Sequence, residues 1–266
     1  MNKFCIVVPI YREPTPAEKL SLRQLYDVTQ RKYDIYFVKP NSFDIRQIQK
    51  AFNTEQDVCV DVCACFNDIC FADDYFTSTD SYSKLLETYD FWKTFDEYEY
   101  VYIYQLDCYL IKDNLEYWCN LGFDYIGAPI VSPNANWKNT PAIGNGGFSL
   151  RKVSKFIELT SPNSWFIKKY GKNLQNNKWL KFEDLYFLQE CGEFIKIDTP
   201  IFQHATQFAW DMNPDVIYKL TQELPMCIHA FDKNIPFWKD KINGITPEVY
   251  SDCYSRNKQF IDAYYG

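Results

Sequence analysis

The chain of 266 residues is long enough for one large α/β domain or two small ones. Its residues are 47% hydrophobic and 18% aromatic, a composition that excludes an intrinsically disordered chain. The 28 basic side chains are outnumbered by 35 acidic ones, and the net charge of −7 argues against nucleic acid or an anionic membrane surface as a partner.

The sequence carries no signal for membrane insertion or export. No apolar run approaches the ~18 residues of a bilayer-spanning helix, and the first residues lack the basic region and cleavage site of a signal peptide. We therefore expect no transmembrane segment, a cytoplasmic location and reduced thiols. Four of the ten cysteines form a cluster: Cys59, Cys63, Cys65 and Cys70. Their spacing lacks the paired C-x-x-C pattern of zinc sites. We therefore interpret residues 58–65 as a buried strand region in which cysteine serves as a small apolar residue.

Strands and helices alternate along the first half of the chain. Apolar runs predict strands at residues 4–10, 34–38 and 100–106, and helices are predicted at 17–30, 45–52 and 81–95. Such alternation is typical of parallel strand pairing, so we expect an α/β fold with a mostly parallel central sheet flanked by helices. We expect a single domain, 1–266. Residues 1–131 would form its nucleotide-binding half, and residues 132–266 its second half, in which strands and helices alternate less regularly.

Asp107 follows the apolar strand at 100–106, where ligands bind in open α/β sheets. A carboxylate at this position is costly unless it is paired, hydrogen-bonded or bound to a metal. It either caps the following loop or binds Mg²⁺ or Mn²⁺, which would neutralise a leaving diphosphate. Gln105, two residues earlier, points the same way and is a candidate to bond a ribose or a metal-bound water.

The segment 226–233 is the second candidate for metal chemistry. A thioether and an imidazole suit Mn²⁺ better than Ca²⁺, which favours Met226 and His229 as ligands. Lys233 follows as a compact point charge for a phosphate. The other histidine, His204, is interpreted as structural.

Two further motifs are unusual in composition. Three glycines in Gly144-Asn145-Gly146-Gly147 indicate close backbone approach or positive φ, in either a tight hairpin or a sugar-contacting loop with the Asn145 amide. Glu183-Asp184 opens an apolar stretch, where a carboxylate pair either complements a helix dipole or supplies a general base for a sugar hydroxyl.

Taken together, these segments resemble the GT-A class of nucleotide-sugar glycosyltransferases, and in particular one uncharacterised GT-A-like family of bacteria, viruses and lower eukaryotes. The resemblance covers roughly residues 82–238 and rests on four motifs: Tyr104-Gln105-Leu106-Asp107, Asp124-Tyr125-Ile126-Gly127-Ala128-Pro129, Gly144-Asn145-Gly146-Gly147-Phe148-Ser149-Leu150-Arg151 and Glu183-Asp184. A more distant similarity is to the β-1,4-galactosyltransferases.

The more distant similarity implies roles for individual residues. Asp107, Met226 and His229 would hold Mn²⁺ or Mg²⁺, Asp184 would be the catalytic base, and Glu183 would help to hold a sugar. Inversion at the anomeric carbon would follow by direct displacement. The sequence departs from that family at Gln105, where an acid is usual, and the acidic run is shorter, which leaves the base open between Asp184 and Glu183.

Asp211 is a further acid without an assigned role.

The GT-A resemblance also implies contacts with the nucleotide sugar. The expected donor-binding residues come from the first loop, the helix at 81–95 and the motifs above: Pro9, Ile10, Tyr11, Arg12, Tyr82, Lys84, Gln105, Leu106, Asn145, Gly146, Gly147 and Lys233.

We therefore expect a metal-dependent, inverting GT-A glycosyltransferase whose second half binds the acceptor and carries the catalytic residues. Its donor would be a nucleoside-diphosphate sugar, with UDP favoured by analogy, and its acceptor a glycan, a lipid-linked sugar or a glycosylated protein. A sugar nucleotidyltransferase is the first alternative, although the loop after the first strand lacks the glycines that such enzymes need. The second is a non-catalytic sugar- or nucleotide-binding protein on a decayed transferase fold, which Gln105 keeps open.

Overall fold

The computed structural model describes residues 2–30, 32–46, 48, 66–130, 144–174 and 182–266. The predicted strand region at 58–65 and most of the predicted helix at 45–52 lie outside these residues. The cysteines that the structure describes are free thiols.

The central sheet contains six strands within the described residues, in the order β3-β2-β1-β4-β7-β6. β7 is antiparallel to both of its neighbours, whereas β1, β2, β3 and β4 pair in parallel, so the mostly parallel sheet is confirmed. The strands are β1 (Asn2–Pro9), β2 (Asp34–Pro40), β3 (Phe66–Phe71), β4 (Tyr98–Tyr104), β6 (Tyr125–Pro129) and β7 (Gly144–Lys152).

A small second sheet lies beyond the carboxyl end of β4. It consists, within the described residues, of β5 (Tyr109–Leu110), β9 (Cys227–Ile228) and β8 (Ala209–Trp210), in that order. β9 pairs antiparallel with β5 and parallel with β8. This sheet brings the start of the turn after β9 next to the turn that follows β4.

The helices cover both faces of the central sheet and pack around the second one. They are α1 (Pro16–Thr29), α2 (Thr79–Leu86), α3 (Tyr89–Thr94), α4 (Leu115–Asn120), α5 (Val153–Thr160), α6 (Trp165–Leu174), α7 (Glu183–Leu185), α8 (Phe202–Phe208), α9 (Pro214–Thr221), α10 (Ile235–Trp238) and α11 (Pro247–Tyr265). Short 3₁₀ turns lie at Asp73–Phe76 and Cys191–Glu193, and a π-helical turn at Tyr186–Glu190.

The apolar runs of the sequence form strands because both of their faces are buried. In β1, Phe4, Ile6 and Val8 point into one hydrophobic cluster with α1, whereas Cys5 and Val7 point into another with α2 and α3. Alternate side chains leave opposite faces of a strand, so a strand covered on both sides needs an unbroken apolar run.

The predicted helix at 81–95 is wrong in one respect, because it is two helices. α2 ends at Leu86, and α3 starts again after Thr88, whose hydroxyl oxygen accepts the Phe91 N–H at 3.3 Å. Thr is a preferred N-cap residue because its side chain satisfies an N–H that the first helical turn leaves free. The break turns Trp92 back under α2, where its indole N–H donates to the Leu86 carbonyl at 2.7 Å.

The glycine-rich motif is a strand, and neither the hairpin nor the loop predicted for it is present. Gly144–Lys152 forms β7, between β4 and β6, and the described residues of the motif keep negative φ. Strand β4 also ends two residues earlier than predicted, at Tyr104. Gln105, Leu106 and Asp107 therefore lie in the turn that leads to β5.

Candidate active site

A cleft of about 510 Å³ opens at the carboxyl ends of β1 and β4. The loop after β1, the start of α2, the turn after β4 and residues of the C-terminal region line it. Nine of the residues expected to bind the donor or the metal contribute to its wall: Pro9, Ile10, Tyr11, Arg12, Tyr82, Gln105, Leu106, Asp107 and Lys233. The volume is in the range of sites that hold a drug-sized ligand.

Other expected donor-binding residues lie elsewhere. The Lys84 ammonium is exposed and pairs with Glu87 at 2.6 Å, outside the cleft wall. The Asn145 side-chain oxygen accepts the Gly147 N–H at 2.8 Å, so it is engaged within its own strand. Gly146 and Gly147 lie in β7, outside the cleft wall, and have only backbone atoms to offer a ligand.

Asp107 lines the cleft and lies beside His229, the other side chain expected to hold the metal. Their closest atoms are Asp107 Oδ1 and His229 Nε2, 3.3 Å apart. Backbone bonds fix the approach: the His229 N–H donates to the Trp210 carbonyl at 2.7 Å, and the Phe231 N–H donates to the Asp107 carbonyl at 3.1 Å. The two side chains are thus held together by the second sheet.

A third acid, Asp211, orients the His229 ring. Its Oδ1 lies 3.2 Å from His229 Nδ1, on the opposite side of the imidazole from Asp107. Burial opposes the charged form of His229, but Asp107 and Asp211 outweigh it and raise its pKa well above 6.5. Burial likewise opposes the charge on Asp107, yet His229 and Lys233 hold the pKa of that carboxyl well below its usual range.

The chemistry of these side chains fits a divalent cation. His229 Nε2 is buried, and in the described residues its one polar neighbour is Asp107 Oδ1 at 3.3 Å; a cation that displaces the proton of this nitrogen would be held by the imidazole and by the hard Asp107 oxygen. A carboxylate on the far ring nitrogen, here Asp211, is the usual support of a metal-binding histidine. Within the described residues no three His, Cys, Asp or Glu side chains are placed to share one ion.

Met226, the remaining expected metal ligand, lies in the apolar core. It is fully buried, and its neighbours in that cluster include Leu110, Ala209 and Cys227. Its backbone joins the second sheet to the segments around it, through the Gln207 carbonyl and the Ile111 N–H.

The glycines of β7 are explained by what packs against them. A methyl group on Gly147 would overlap the imidazole of His229, and one on Gly146 would overlap the Glu183 carboxylate. Successive residues of a strand face opposite sides of the sheet, so His229 and Glu183 lie on opposite faces of β7. The glycines of the motif indicate either close backbone approach or positive φ, and the structure shows close approach.

Glu183 and Asp184 are held at the start of β7 in different ways. The Glu183 carboxylate pairs with Arg151 at 2.7 Å and accepts the Ser83 hydroxyl at 3.1 Å. Asp184 accepts two backbone N–H groups, from Gly146 at 2.9 Å and from Leu185 at 2.7 Å. Burial and the neighbouring Glu183 charge raise the pKa of Asp184 above 3.8.

Arg151 is the buried cation that sequence reasoning missed. Its side chain is inaccessible to solvent, donates to Ser149 Oγ at 2.9 Å and to the Gly146 carbonyl at 3.3 Å, and lies 5.3 Å from the centre of the Tyr125 ring. The only signal in the sequence is a charge at the end of an apolar strand, since its acidic partner follows thirty-two residues later. The ion pair and these hydrogen bonds offset part of the cost of burying the guanidinium, whose Nη1 has no hydrogen-bond partner in the described residues.

Solved structures share this fold at low sequence identity. A glycosyltransferase involved in the glycosylation of the major capsid of PBCV-1 matches with a TM-score of 0.50 and 10% identity, over 97% of this chain and 99% of that one. Mouse xyloside xylosyltransferase 1, in its apo form, matches with a TM-score of 0.53 and 12% identity, over 85% and 97%. An active-site mutant of LgtC matches with a TM-score of 0.50 and 9% identity, over 94% and 95%. The expected GT-A fold is confirmed.

In the part of the chain that the structure describes, no helix combines the length and the apolar character needed to cross a bilayer. Among curated protein sequences, none matches this chain. The profile of one family, described as a protein of unknown function (DUF5672), matches residues 66–229, more than half of the sequence. The chain therefore belongs to the DUF5672 family, and it has the GT-A fold.

Proposed function

We propose that the protein is a metal-dependent, inverting glycosyltransferase. It transfers a sugar from a nucleoside-diphosphate sugar, with UDP-sugars favoured, to a glycan, a lipid-linked sugar or a glycosylated protein. The observation that carries the proposal is the cleft at the carboxyl ends of β1 and β4, which ends on Asp107 with His229 at 3.3 Å. A cavity of this size with a carboxylate in its wall, and an imidazole in contact with that carboxylate, suits a diphosphate bound with a divalent cation.

Mn²⁺ or Mg²⁺ is the cofactor of this proposal. Asp107 and His229 would hold the ion, which supplies positive charge for the departing nucleoside diphosphate. Asp211 occupies His229 Nδ1 and so leaves Nε2 directed at Asp107. Lys233 lines the same cleft and adds a compact positive charge for the phosphate oxygens.

Asp184 is the catalytic base of the proposal, and Glu183 is its structural neighbour. A base must be an ionised carboxylate with a lone pair free for the acceptor hydroxyl. Glu183 forms an ion pair with Arg151, whereas the hydrogen bonds that Asp184 accepts within the described residues come from backbone N–H groups. Asp184 would take the proton of the acceptor hydroxyl as that oxygen attacks the anomeric carbon and the bond to the diphosphate breaks.

Calorimetric titration of UDP and GDP, each with Mn²⁺ and with EDTA, tests the proposal. We expect UDP binding that requires Mn²⁺ and is lost in Asp107→Asn, because the neutral amide is a far weaker ligand for a hard cation. Asp113→Asn is the matched control and should bind as the wild type does, because Asp113 is a half-buried carboxylate paired with Lys32 and lies outside the cleft wall. If neither nucleotide binds with Mn²⁺ present, the donor assignment is wrong.

A non-catalytic nucleotide- or sugar-binding protein is the second candidate. Gln105 favours it, because a neutral amide stands in the cleft wall where the galactosyltransferase pattern has an acid. Release of UDP from UDP-sugars, measured with and without glycan acceptors, separates the two candidates. Turnover that disappears in Asp184→Asn supports the transferase, and binding without turnover across donors and acceptors supports the binding protein.

A further inference from the structure

One wall of the cleft comes from beyond the segment that matches the family. Asp232, Lys233, Arg256 and Asn257 line it, and we refer to these four residues as the C-terminal wall. The first two follow β9 closely and so lie near His229. The last two belong to α11, the long helix at the end of the chain.

The helix is interrupted where it meets the cleft. Asn257 has φ −116° and ψ 19°, which are not helical values. Its side-chain nitrogen donates to Asp232 Oδ2 at 2.9 Å and to the Cys253 carbonyl at 3.1 Å. Consecutive residues of a regular helix point about 100° apart, so the interruption explains how Arg256 and Asn257 both face one cavity.

Arg256 is held by acids but keeps hydrogen-bonding capacity on its cleft side. Its Nε and Nη2 donate to the two oxygens of Asp252 at 3.1 and 3.2 Å. In the described residues its Nη1 makes an ion-pair contact with Asp232 Oδ2 at 3.3 Å and no hydrogen bond. The side chain is 31% exposed, and a guanidinium has five N–H donors, so donors remain for a ligand.

Two carboxylates, Asp232 and Asp252, contact Arg256 and reduce the net positive charge of the C-terminal wall. Asp232 is buried and lies 3.3 Å from the guanidinium of Arg256. A diphosphate that reaches Asp107 and Lys233 also lies beside Asp232, so positive charge in addition to Lys233 and the proposed metal ion favours its binding. Arg256 supplies that charge, since its planar fork suits phosphate oxygens better than an ammonium does.

We propose that Arg256 binds the diphosphate of the donor, and that Asp232 and Asn257 position it by holding the interrupted part of α11 against the cleft. This inference rests on the proposed function, because it assigns a residue to the donor site. A purely structural role is the alternative. Asp252, the main partner of Arg256, also accepts the Ala17 N–H at 3.1 Å and thereby ties α11 to the start of α1.

The test compares UDP with uridine in the presence of Mn²⁺, by calorimetry on the full chain. Arg256→Met keeps most of the side-chain volume and removes the charge and the donors. We expect it to weaken UDP binding about 10- to 100-fold, the usual effect of a charge-assisted hydrogen bond, and to leave uridine binding unchanged. Lys258→Met is the matched control, because it removes a charge from the same helix outside the cleft, and it should alter neither affinity.

Each outcome of this comparison either supports or overturns the diphosphate role of Arg256. Equal loss of UDP and uridine affinity, or unchanged UDP affinity, in Arg256→Met would overturn the diphosphate role while leaving the glycosyltransferase proposal intact. If the wild type binds neither UDP nor GDP with Mn²⁺, both proposals fail together. Should Arg256→Met not fold, Arg256→Lys retains the charge without the fork, and a selective loss of UDP affinity in that variant supports the same conclusion.

Discussion

Glu183 and Asp184 are neighbours in sequence with opposite electrostatic surroundings. The first faces a buried guanidinium, and the second faces backbone N–H groups and the charge of the first. The sequence analysis predicts that one of them is a base but leaves open which one. That choice depends on Arg151 and on the Gly146 N–H, and neither contact is visible from a Glu-Asp pair at the start of a helix.

The raised pKa of Asp184 predicts the pH dependence of transfer. A base works in its ionised form, so turnover should fall as the pH drops through a pKa that burial and Glu183 hold above 3.8. We expect an acid limb in the kcat/KM profile at a higher pH than the ordinary aspartate range of about 4. Asp184→Asn should lower kcat by about 10²- to 10⁴-fold and leave UDP affinity unchanged. A rate that stays constant down to about pH 4 would contradict the assignment.

Local sequence patterns predict a hairpin or a loop where the structure has strand β7. Apolar runs identify β1, β2 and β4 correctly, because those strands are buried on both faces. Glycine weakens a strand, so three glycines in four positions argue for a turn. The compensation comes from side chains far along the chain, His229 and Glu183, which need the space that a Cβ would occupy.

Gly147→Ala tests this account of β7. The added methyl group would overlap the His229 ring, so we expect a loss of about 1–3 kcal/mol in unfolding free energy and weaker Mn²⁺-dependent UDP binding. Gly192→Ala is the matched control, since a Cβ there has its nearest neighbour at 3.9 Å, and it should change neither quantity measurably. Urea denaturation and calorimetry measure the two effects. Wild-type UDP affinity in Gly147→Ala would show that the ring position does not matter for the site.

Across the molecule, the site is assembled from segments that are distant in sequence. The loop after β1, the turn after β4, the start of β7, α7, the turn after β9 and α11 all contribute. Sequence motifs predict the members to which we assign a chemical role, namely Asp107, His229 and the Glu183-Asp184 pair. They do not predict Asp232 or Arg256, because a helix-surface arginine and a loop aspartate carry no local signal until tertiary contacts join them.

The ion pair between Arg151 and Glu183 links β7 to α7 through the interior, and it predicts non-additive effects on stability. Glu183→Gln leaves the guanidinium buried without its counter-charge and should cost about 3–5 kcal/mol of unfolding free energy. The double variant Arg151→Met with Glu183→Met removes both charges and should be more stable than Glu183→Gln. Additive losses in the double-mutant cycle of Arg151→Met, Glu183→Met and the double variant, measured by urea denaturation, would show that the pair is not coupled.

The position of β7 also constrains how the chain is made. Within the described residues β6 pairs with β7 and with no other strand, and β4 has its second hydrogen-bonded edge covered by β7. While the ribosome has yet to release residues 144–152, β4 presents an open, apolar edge and β6 has no sheet to join. Such edges template pairing with other chains. Between the synthesis of β6 and that of β7, a nascent chain of this protein therefore carries an unpaired strand edge that is open to pairing with other chains.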